Sequence, residues 1–418
     1  MVMSRVNVVV IGGGPAGLSA AIAASVDGAS VILVDREARL GGILNQCIHD
    51  DFGIERYGER LAGPEYAFKD IKMLEQTNVF FLLQTSVSRI SRSGNAFQLT
   101  LCNRHGIVQV EANSIVLATG CRERTAKEIA IHGGQPAGVI TAGSAQYYIN
   151  VLGQLPAKKC LILGSSNIGM IMARRLSLEG AKVLGVYEAK QIPGGSLRNV
   201  TQCLGDFNIP LHFGHTVTRV SGMQRLRGVE ICRVDKNLNQ IRGTENLVKF
   251  DTLILAVGLI PDNELADTLG IPLSNDTQGP ICDQNFMTLV NGIYSCGNAM
   301  HINSMVDYIS ESGEIAGRSA ARYMGNDRRL INVNASKDFL YSVPQCLDFD
   351  LLGTETVMFF RAREKREGTL VRVLVDGQEV FSQQYTMLHP PETERILVDF
   401  GDTLNVGSKV ELRMEASK

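Results

Sequence analysis

The chemistry open to this chain is concentrated in a few side chains. Cys47 and His49, two residues apart, pair a thiol with an imidazole, and either can give or take a proton beside a redox centre. Packing of the thiol and an ordinary loop hydrogen bond from the imidazole are the competing readings. Two carboxylates, Asp35 and Glu188, each close an apolar run, Val31-Ile32-Leu33-Val34 and Val183-Leu184-Gly185-Val186-Tyr187. Each follows a glycine-bearing turn, Gly12-Gly13-Gly14-Pro15-Ala16-Gly17 and Gly164-Ser165-Ser166-Asn167-Ile168-Gly169. An acid about 20 residues beyond such a turn is spaced to hydrogen-bond a ribose hydroxyl while the turn receives a pyrophosphate.

These groups need elements to hold them. Val8–Ile11, the glycine turn and Leu18–Ala24 predict strand, tight turn and helix. Gly12 permits the sharp turn, Gly14 lets the backbone approach a phosphate, and Gly17 lets helix and strand pack closely, with phosphate oxygens meeting the N–H groups at the helix start. Gly42 and Ile43, within Leu40–His49, predict a wall for the bound cofactor. Asp51–Tyr66 reads as a loop, Ala67–Thr77 as a helix and Val79–Gln84 as a strand. Ser86–Ile90, Ala96–Cys102 and Ile107–Val110 read as an antiparallel meander, and Ser114–Leu117 as a separate buried strand ending at Ala118-Thr119-Gly120.

The opening pattern restarts at Lys159–Leu163, continues through Gly164–Gly169 into a helix at Met170–Glu179, and ends with the strand to Glu188. This duplication predicts a second nucleotide-binding domain. Its site comprises Gly164, Ser166, Asn167, Ile168, Gly169 and Glu188, with Gly258 at the end of the strand from Asp251. Ser166 replaces the middle glycine, where a side chain crowds a pyrophosphate; a domain that keeps the fold and binds weakly is the alternative. Glu188 favours a free ribose 2′-hydroxyl, hence NAD over NADP, although Lys190 blurs the preference. A short strand then ends at Gly297-Asn298, ahead of a helix at Asp307–Met324. The segment Leu330–Lys418 reads as a small all-β domain with strands at Thr354–Arg361, Thr369–Asp376, Glu379–Tyr385, Arg395–Phe400 and Lys409–Met414. Asp376-Gly377 signals a hairpin, and the charged run Arg361–Glu367 reads as a solvated hairpin end rather than a binding patch.

Length and composition bound these readings. A chain of 418 residues suggests two to three domains. A net charge of -2 gives no general attraction to nucleic acid or anionic lipid. Nine cysteines, odd in number, scattered and without a C-x-x-C pair, fit reduced thiols and neither a disulfide framework nor a zinc or other metal site. No apolar segment approaches the ~20 residues of a membrane helix. Met1–Arg5 runs straight into the first strand, leaving no cleavable signal segment, so the expected location is the cytoplasm.

Together, the two fingerprints, Ala118-Thr119-Gly120, Val257-Gly258 and Gly292-Ile293-Tyr294-Ser295-Cys296-Gly297-Asn298 resemble the two-dinucleotide flavoproteins that include the pyridine nucleotide-disulfide oxidoreductases. The resemblance covers residues 1 to about 325. It implies an α/β fold with two Rossmann-like domains in a glutathione reductase-like arrangement, to which the strand pattern adds the C-terminal all-β domain. The implied borders are 1–125 and 263–328 for the FAD domain, 126–262 for an inserted NAD(P) domain, and 329–418 for the last. By this resemblance Gly12, Gly14, Pro15, Ala16, Gly17, Asp35, Arg36, Gly42, Ile43, Val87, Ala118, Thr119, Gly120, Gly297 and Asn298 hold FAD, with Val87 by the adenine and Gly297-Asn298 at the ribityl chain. Asn298 stands where the family commonly has Asp, and keeps a carbonyl acceptor.

The disulfide members carry a paired Cys-x4-Cys after the glycine pair, whereas this chain offers Cys47 alone, so no dithiol relay is expected. His301 at the mouth of the last long helix is a candidate to approach the isoalloxazine, and Arg122 and Arg124 to reach FAD phosphates; Cys296 reads as packing. The segments Gly41–His49, Gly138–Gln146 and Met172–Leu176 look like oxidoreductases that accompany glycerol-3-phosphate dehydrogenase-type flavoproteins, relatives of hydrogen cyanide synthase, opine oxidase and sarcosine oxidase α subunits. The expected activity is therefore hydride transfer between NAD(P)H and FAD, with electrons exchanged with a second flavoprotein subunit in an oligomer. The alternatives are an amine or amino-acid dehydrogenase subunit working directly through FAD, and a non-catalytic scaffold subunit.

Overall fold

The computed structural model describes residues 5–416, apart from 326 and 354. The chain forms two compact units, one of residues 1–121 and 261–418, the other of residues 122–260. These divisions fall a few residues from the borders expected at 125/126 and 262/263, and the C-terminal β region belongs with the first unit.

In the first unit, β1 (Val6–Ile11) lies between β2 (Val31–Val34) and β3 (Gly106–Leu117), parallel to both. The meander and the buried strand expected at Ser114 are one element. β3 runs unbroken for 12 residues, its first part pairing antiparallel with Ala96–Asn103 and its second part parallel with β1. Ile293–Ser295 adds to the free side of β3, bringing Gly297 back to the sheet's carboxyl end. Between β1 and β2 runs α1 (Pro15–Val26), built almost wholly of small residues. That composition lets α2 (Val306–Ala321) approach closely: a Cβ on Gly313 would stand 2.1 Å from the Ala16 carbonyl oxygen, and one on Gly317 equally close to that of Ala20. The region expected to be a loop contains a one-turn helix, Ile54–Tyr57, and the start of the helix Gly63–Leu74, whose first turn the Glu65 carboxylate closes on the Ala62 N–H.

The second unit repeats the plan. A five-stranded sheet has the order Leu211–Phe213, Lys182–Glu188, Lys159–Leu163, Thr252–Leu255, Val139–Thr141, and the helix Asn167–Leu178 follows the second glycine turn. The ladder between Lys159–Leu163 and Lys182–Glu188 shifts register once: Cys160 faces Val183 but Ile162 faces Val186. Gly185, at φ +156°, is the extra residue. The stretch from Gly164 to Glu188 is one residue longer than that from Gly12 to Asp35, yet the bulge returns Glu188 to the place Asp35 holds in the first unit.

The C-terminal region is a two-sheet β structure around its own apolar core of Val371, Val373, Met358, Phe360 and Leu412. Three strands precede those the sequence suggested: Leu330–Ala335, Phe339–Val343 and Cys346–Asp348. Thr356–Ala362 takes the place of the strand expected from Thr354, a residue outside the described set. The charged run is solvated at Arg363, Glu364, Lys365 and Glu367, but it ends no hairpin: it joins strands of two different sheets. Arg361 is half-buried within a strand and Arg366 begins the next, pairing with Asp338.

Candidate functional site

Three glycine segments from distant parts of the chain meet at the start of α1. Gly12, at φ +110°, turns beneath Ala118, whose carbonyl oxygen would lie 2.2 Å from a Cβ placed there. Gly17 passes as closely over Gly12, so only glycine fits at either position. The Gly41-Gly42 turn, both residues at positive φ, rests against the loop: the Gly41 N–H donates to the Gly13 carbonyl, and a Cβ on Gly42 would stand 2.9 Å from the Gly14 Cα. Gly297, at φ +60°, closes the other side, where a Cβ would meet Ala16 at 2.8 Å, and its N–H is fixed by the Ser312 hydroxyl. Gly14 itself faces open space. The first-turn N–H groups of a helix have no intrahelical acceptor, so this cradle offers donors and a positive dipole end to an anion. It fits a dinucleotide diphosphate.

Asp35 is buried and works on the loop directly. One carboxylate oxygen accepts the Gly13 N–H at 2.5 Å and the other the Glu37 N–H at 2.7 Å, leaving acceptor capacity for a ribose hydroxyl. Thr85, at the start of Thr85–Ser93, donates its N–H to the Asp35 carbonyl, which places Val87 on the strand beginning beside the acid. Thr119 Oγ1 donates to the Asp262 carbonyl, while Ala118 is buried and Gly120 turns at φ +76°. Arg36 and Ile43 are exposed. The Asn298 side chain holds its own loop: Oδ1 accepts the Asn303 N–H at 2.9 Å and Nδ2 approaches Cys121 Sγ at 3.5 Å.

In the second unit, Gly164 and Gly169 repeat the close approaches of Gly12 and Gly17, against Ala256 and Gly164 respectively. Glu188 Oε2 accepts from both the N–H and the hydroxyl of Ser165, and Oε1 from the Lys190 N–H. Ser166 is the helix N-cap, its hydroxyl accepting from the Gly169 N–H and donating to the Ala256 carbonyl. The hydroxyl is thus held by the protein. Asn167 Oδ1 accepts from the Ser196 N–H and from Asn199 Nδ2, drawing the segment from Gly194 over the helix start. Gly258 turns at φ +109° with its carbonyl on the Arg124 N–H.

Sequence reasoning passed over Gly194-Gly195. They follow Glu188 at the spacing by which Gly41-Gly42 follow Asp35, and they too abut the loop, Gly194 donating its N–H to Ser165 Oγ. Aligning the two halves on their acids shows this signal.

The proton-transfer candidates fare unevenly. Cys47 is buried against the first turn of Gly63–Leu74, where a Cβ on Gly63 would strike it at 2.9 Å. The His49 ring packs on Phe52, Nδ1 is buried without a protein partner, and burial lowers its pKa against the opposing pull of Asp51 and Asp50. His301 is corrected: it is fully buried, packed on Phe359 and bonded to Tyr341, and burial with nearby Arg361 lowers its pKa to about 3. Arg122 forms a two-pronged pair with Glu128, which it and Thr125 hold down at a pKa of about 2. Cys296 is buried, and no disulfide or metal-ligand cluster occurs among the described residues.

A family model described as pyridine nucleotide-disulphide oxidoreductase matches residues 6–325. An opine oxidase subunit of Agrobacterium tumefaciens is 27% identical over 356 residues, covering 80% of this chain and 68% of the relative. Hydrogen cyanide synthase subunit HcnB of Pseudomonas aeruginosa is 26% identical over 341 residues, covering 75% and 69%. The solved thioredoxin reductase of T. acidophilum superposes with a TM-score of 0.62 at 21% identity, over 77% of this chain and 99% of that one; it shares the fold.

Proposed function

This chain belongs to the pyridine nucleotide-disulphide oxidoreductase family, FAD-dependent oxidoreductases that use NAD(P)H, and from that premise we propose that it passes hydride between a nicotinamide nucleotide and FAD and exchanges electrons with a second flavoprotein subunit that handles the organic substrate. The observation that carries the reading is the meeting of Gly12–Gly17, Gly42 and Gly297 at one helix start, with Cys47 and no second cysteine where a dithiol would stand. FAD supplies hydride exchange at its flavin ring when bound. The chain's own part is to hold and orient it. Gly12, Gly14, Pro15, Ala16, Gly17 and Gly42 would cradle the diphosphate, Asp35 a ribose and Val87 the adenine side, while Gly297 and Asn298 would reach the ribityl chain. Gly164, Ser166, Asn167, Ile168, Gly169, Glu188 and Gly258 would receive NAD in preference to NADP.

Relatives named as subunits support an electron-exchanging partner. We assign that partner to the glycerol-3-phosphate dehydrogenase type, in a cytoplasmic oligomer. Anaerobic mixing with NADH should bleach the flavin absorbance, faster than with NADPH; a yellow protein untouched by both sinks the nicotinamide half. For the partner half, a complex co-purified from the native host should be reduced by glycerol 3-phosphate. Reduction by an amine or opine instead, or by the chain alone, removes that assignment.

One observation favours a second reading. The Ser165, Ser166 and Asn167 side chains are all bonded within the protein, as in a domain retained for assembly. Ser166→Gly separates the two, since a rise in NADH affinity marks a working site, and no binding by either form marks a scaffold.

A further inference from the structure

The segment from Asn298 to Ser304 joins the Gly297 turn to α2; it opens in the one-turn 3-10 helix Gly297–Ala299 and runs on without regular structure, so its later polar groups need partners from elsewhere. The C-terminal β region supplies them. The Ile302 carbonyl accepts from Tyr341 Oη at 3.0 Å and from Arg361 Nη2 at 2.9 Å. Arg361 Nη2 also reaches Thr393 Oγ1 at 3.0 Å, its guanidinium lies over the Tyr341 ring, and the Thr393 N–H donates to Ser304 Oγ. His301 Nδ1 meets Tyr341 Oη at 3.2 Å and its Nε2 meets Asn303 Nδ2 at 3.4 Å, while the Asn303 N–H holds Asn298 Oδ1. An unbroken hydrogen-bonded chain therefore runs from the β region to Asn298. Asn303 Oδ1 is left buried without a protein partner.

We propose that Tyr341 and Arg361 are positioning residues for the flavin, and that the C-terminal β region sets the pocket by clamping the 298–304 segment. The inference rests on the FAD reading of Gly297-Asn298. Without Arg361 the Ile302 carbonyl is left to the Tyr341 hydroxyl, and the loosened hold on the segment passes to Asn298, whose Oδ1 accepts the Asn303 N–H. It also removes a positive charge, which favours the electron-rich reduced flavin.

The test uses the full-length holoprotein and compares Arg361→Met, Arg361→Lys, Tyr341→Phe and Val371→Ala. Val371→Ala opens a cavity in the β core away from the clamp and controls for plain destabilisation. Arg361→Met is expected to weaken FAD binding by about ten-fold and to move the flavin potential to more negative values. Tyr341→Phe should give a smaller loss of affinity, Arg361→Lys should recover part of the potential, and Val371→Ala should lower Tm and leave the potential unchanged. Equal potentials in wild type, Arg361→Met and Tyr341→Phe overturn the proposal, as does a shift in Val371→Ala matching that of Arg361→Met. Failure of the wild-type chain to take up FAD at all overturns the earlier reading instead.

Discussion

At Ser166 one hydroxyl carries two meanings, and the structure separates them. The sequence marks it as a flaw in a phosphate loop; the fold uses it as the cap of Asn167–Leu178. Ser166→Ala should cost about 0.5–2 kcal/mol of stability and Ser166→Gly only a few tenths, which urea titration of the two variants checks. His301 offers a pH test. Unfolded, an imidazole titrates near 6.5, whereas here burial and Arg361 lower it to about 3. Between those values the unfolded chain binds a proton that the native one refuses. Stability therefore falls as pH drops through that window, and His301→Gln should flatten the decline. Proximity in sequence to Gly297 suggested a flavin contact for His301, but Phe359 and Tyr341 turn it into the core, and such distant partners leave no mark on a local pattern. Gly12, Gly42 and Gly297 were legible because each turns at positive φ, a demand local to its own turn; their close approaches to Ala118, Gly14 and Ala16 come from distant segments.

Among elements, the packing of α1 against α2 decides a sign. An Ala replacing Gly inside a helix ordinarily stabilises it by about 1 kcal/mol. Gly317 sits where a Cβ would stand 2.1 Å from the Ala20 carbonyl oxygen, so Gly317→Ala should cost about 1–3 kcal/mol of stability through overpacking and lower Tm. Calorimetry of that variant beside Gly407→Ala, at a glycine with open space around it but positive φ, distinguishes crowding from backbone strain by whether the helix contact is lost in hydrogen exchange. The strongly periodic elements were readable from the sequence, whereas the short helix Ile54–Tyr57 and the strands within 330–348 were not. The joining of the meander to Ser114–Leu117 was not, because one strand changes from antiparallel to parallel partners without a break in its own pattern.

On the scale of the molecule, each of the two units carries its own glycine turn and apolar core. Scanning calorimetry should resolve two transitions. FAD should raise the one belonging to residues 1–121 and 261–418, and NADH the other, since a ligand stabilises the unit whose native form it binds. The doubled plan was visible in the sequence from its repeated fingerprints. The clamp formed by Tyr341, Arg361 and Thr393 was not, because it is assembled from three separate segments whose residues show no shared motif.

The bulge at Gly185 bears on how such chains are compared. Without it, Gly185 would take a place in the pleat and Val186, Tyr187 and Glu188 would fall on the opposite faces; with it, Val183 and Val186 share one apolar face and Leu184 and Tyr187 the other. Counting residues from glycine to acid gives different answers for the two halves, yet both acids arrive on the same beat of the pleat. Parity along the strand, and not distance along the chain, is what a relative must preserve to keep its acid aimed at the loop.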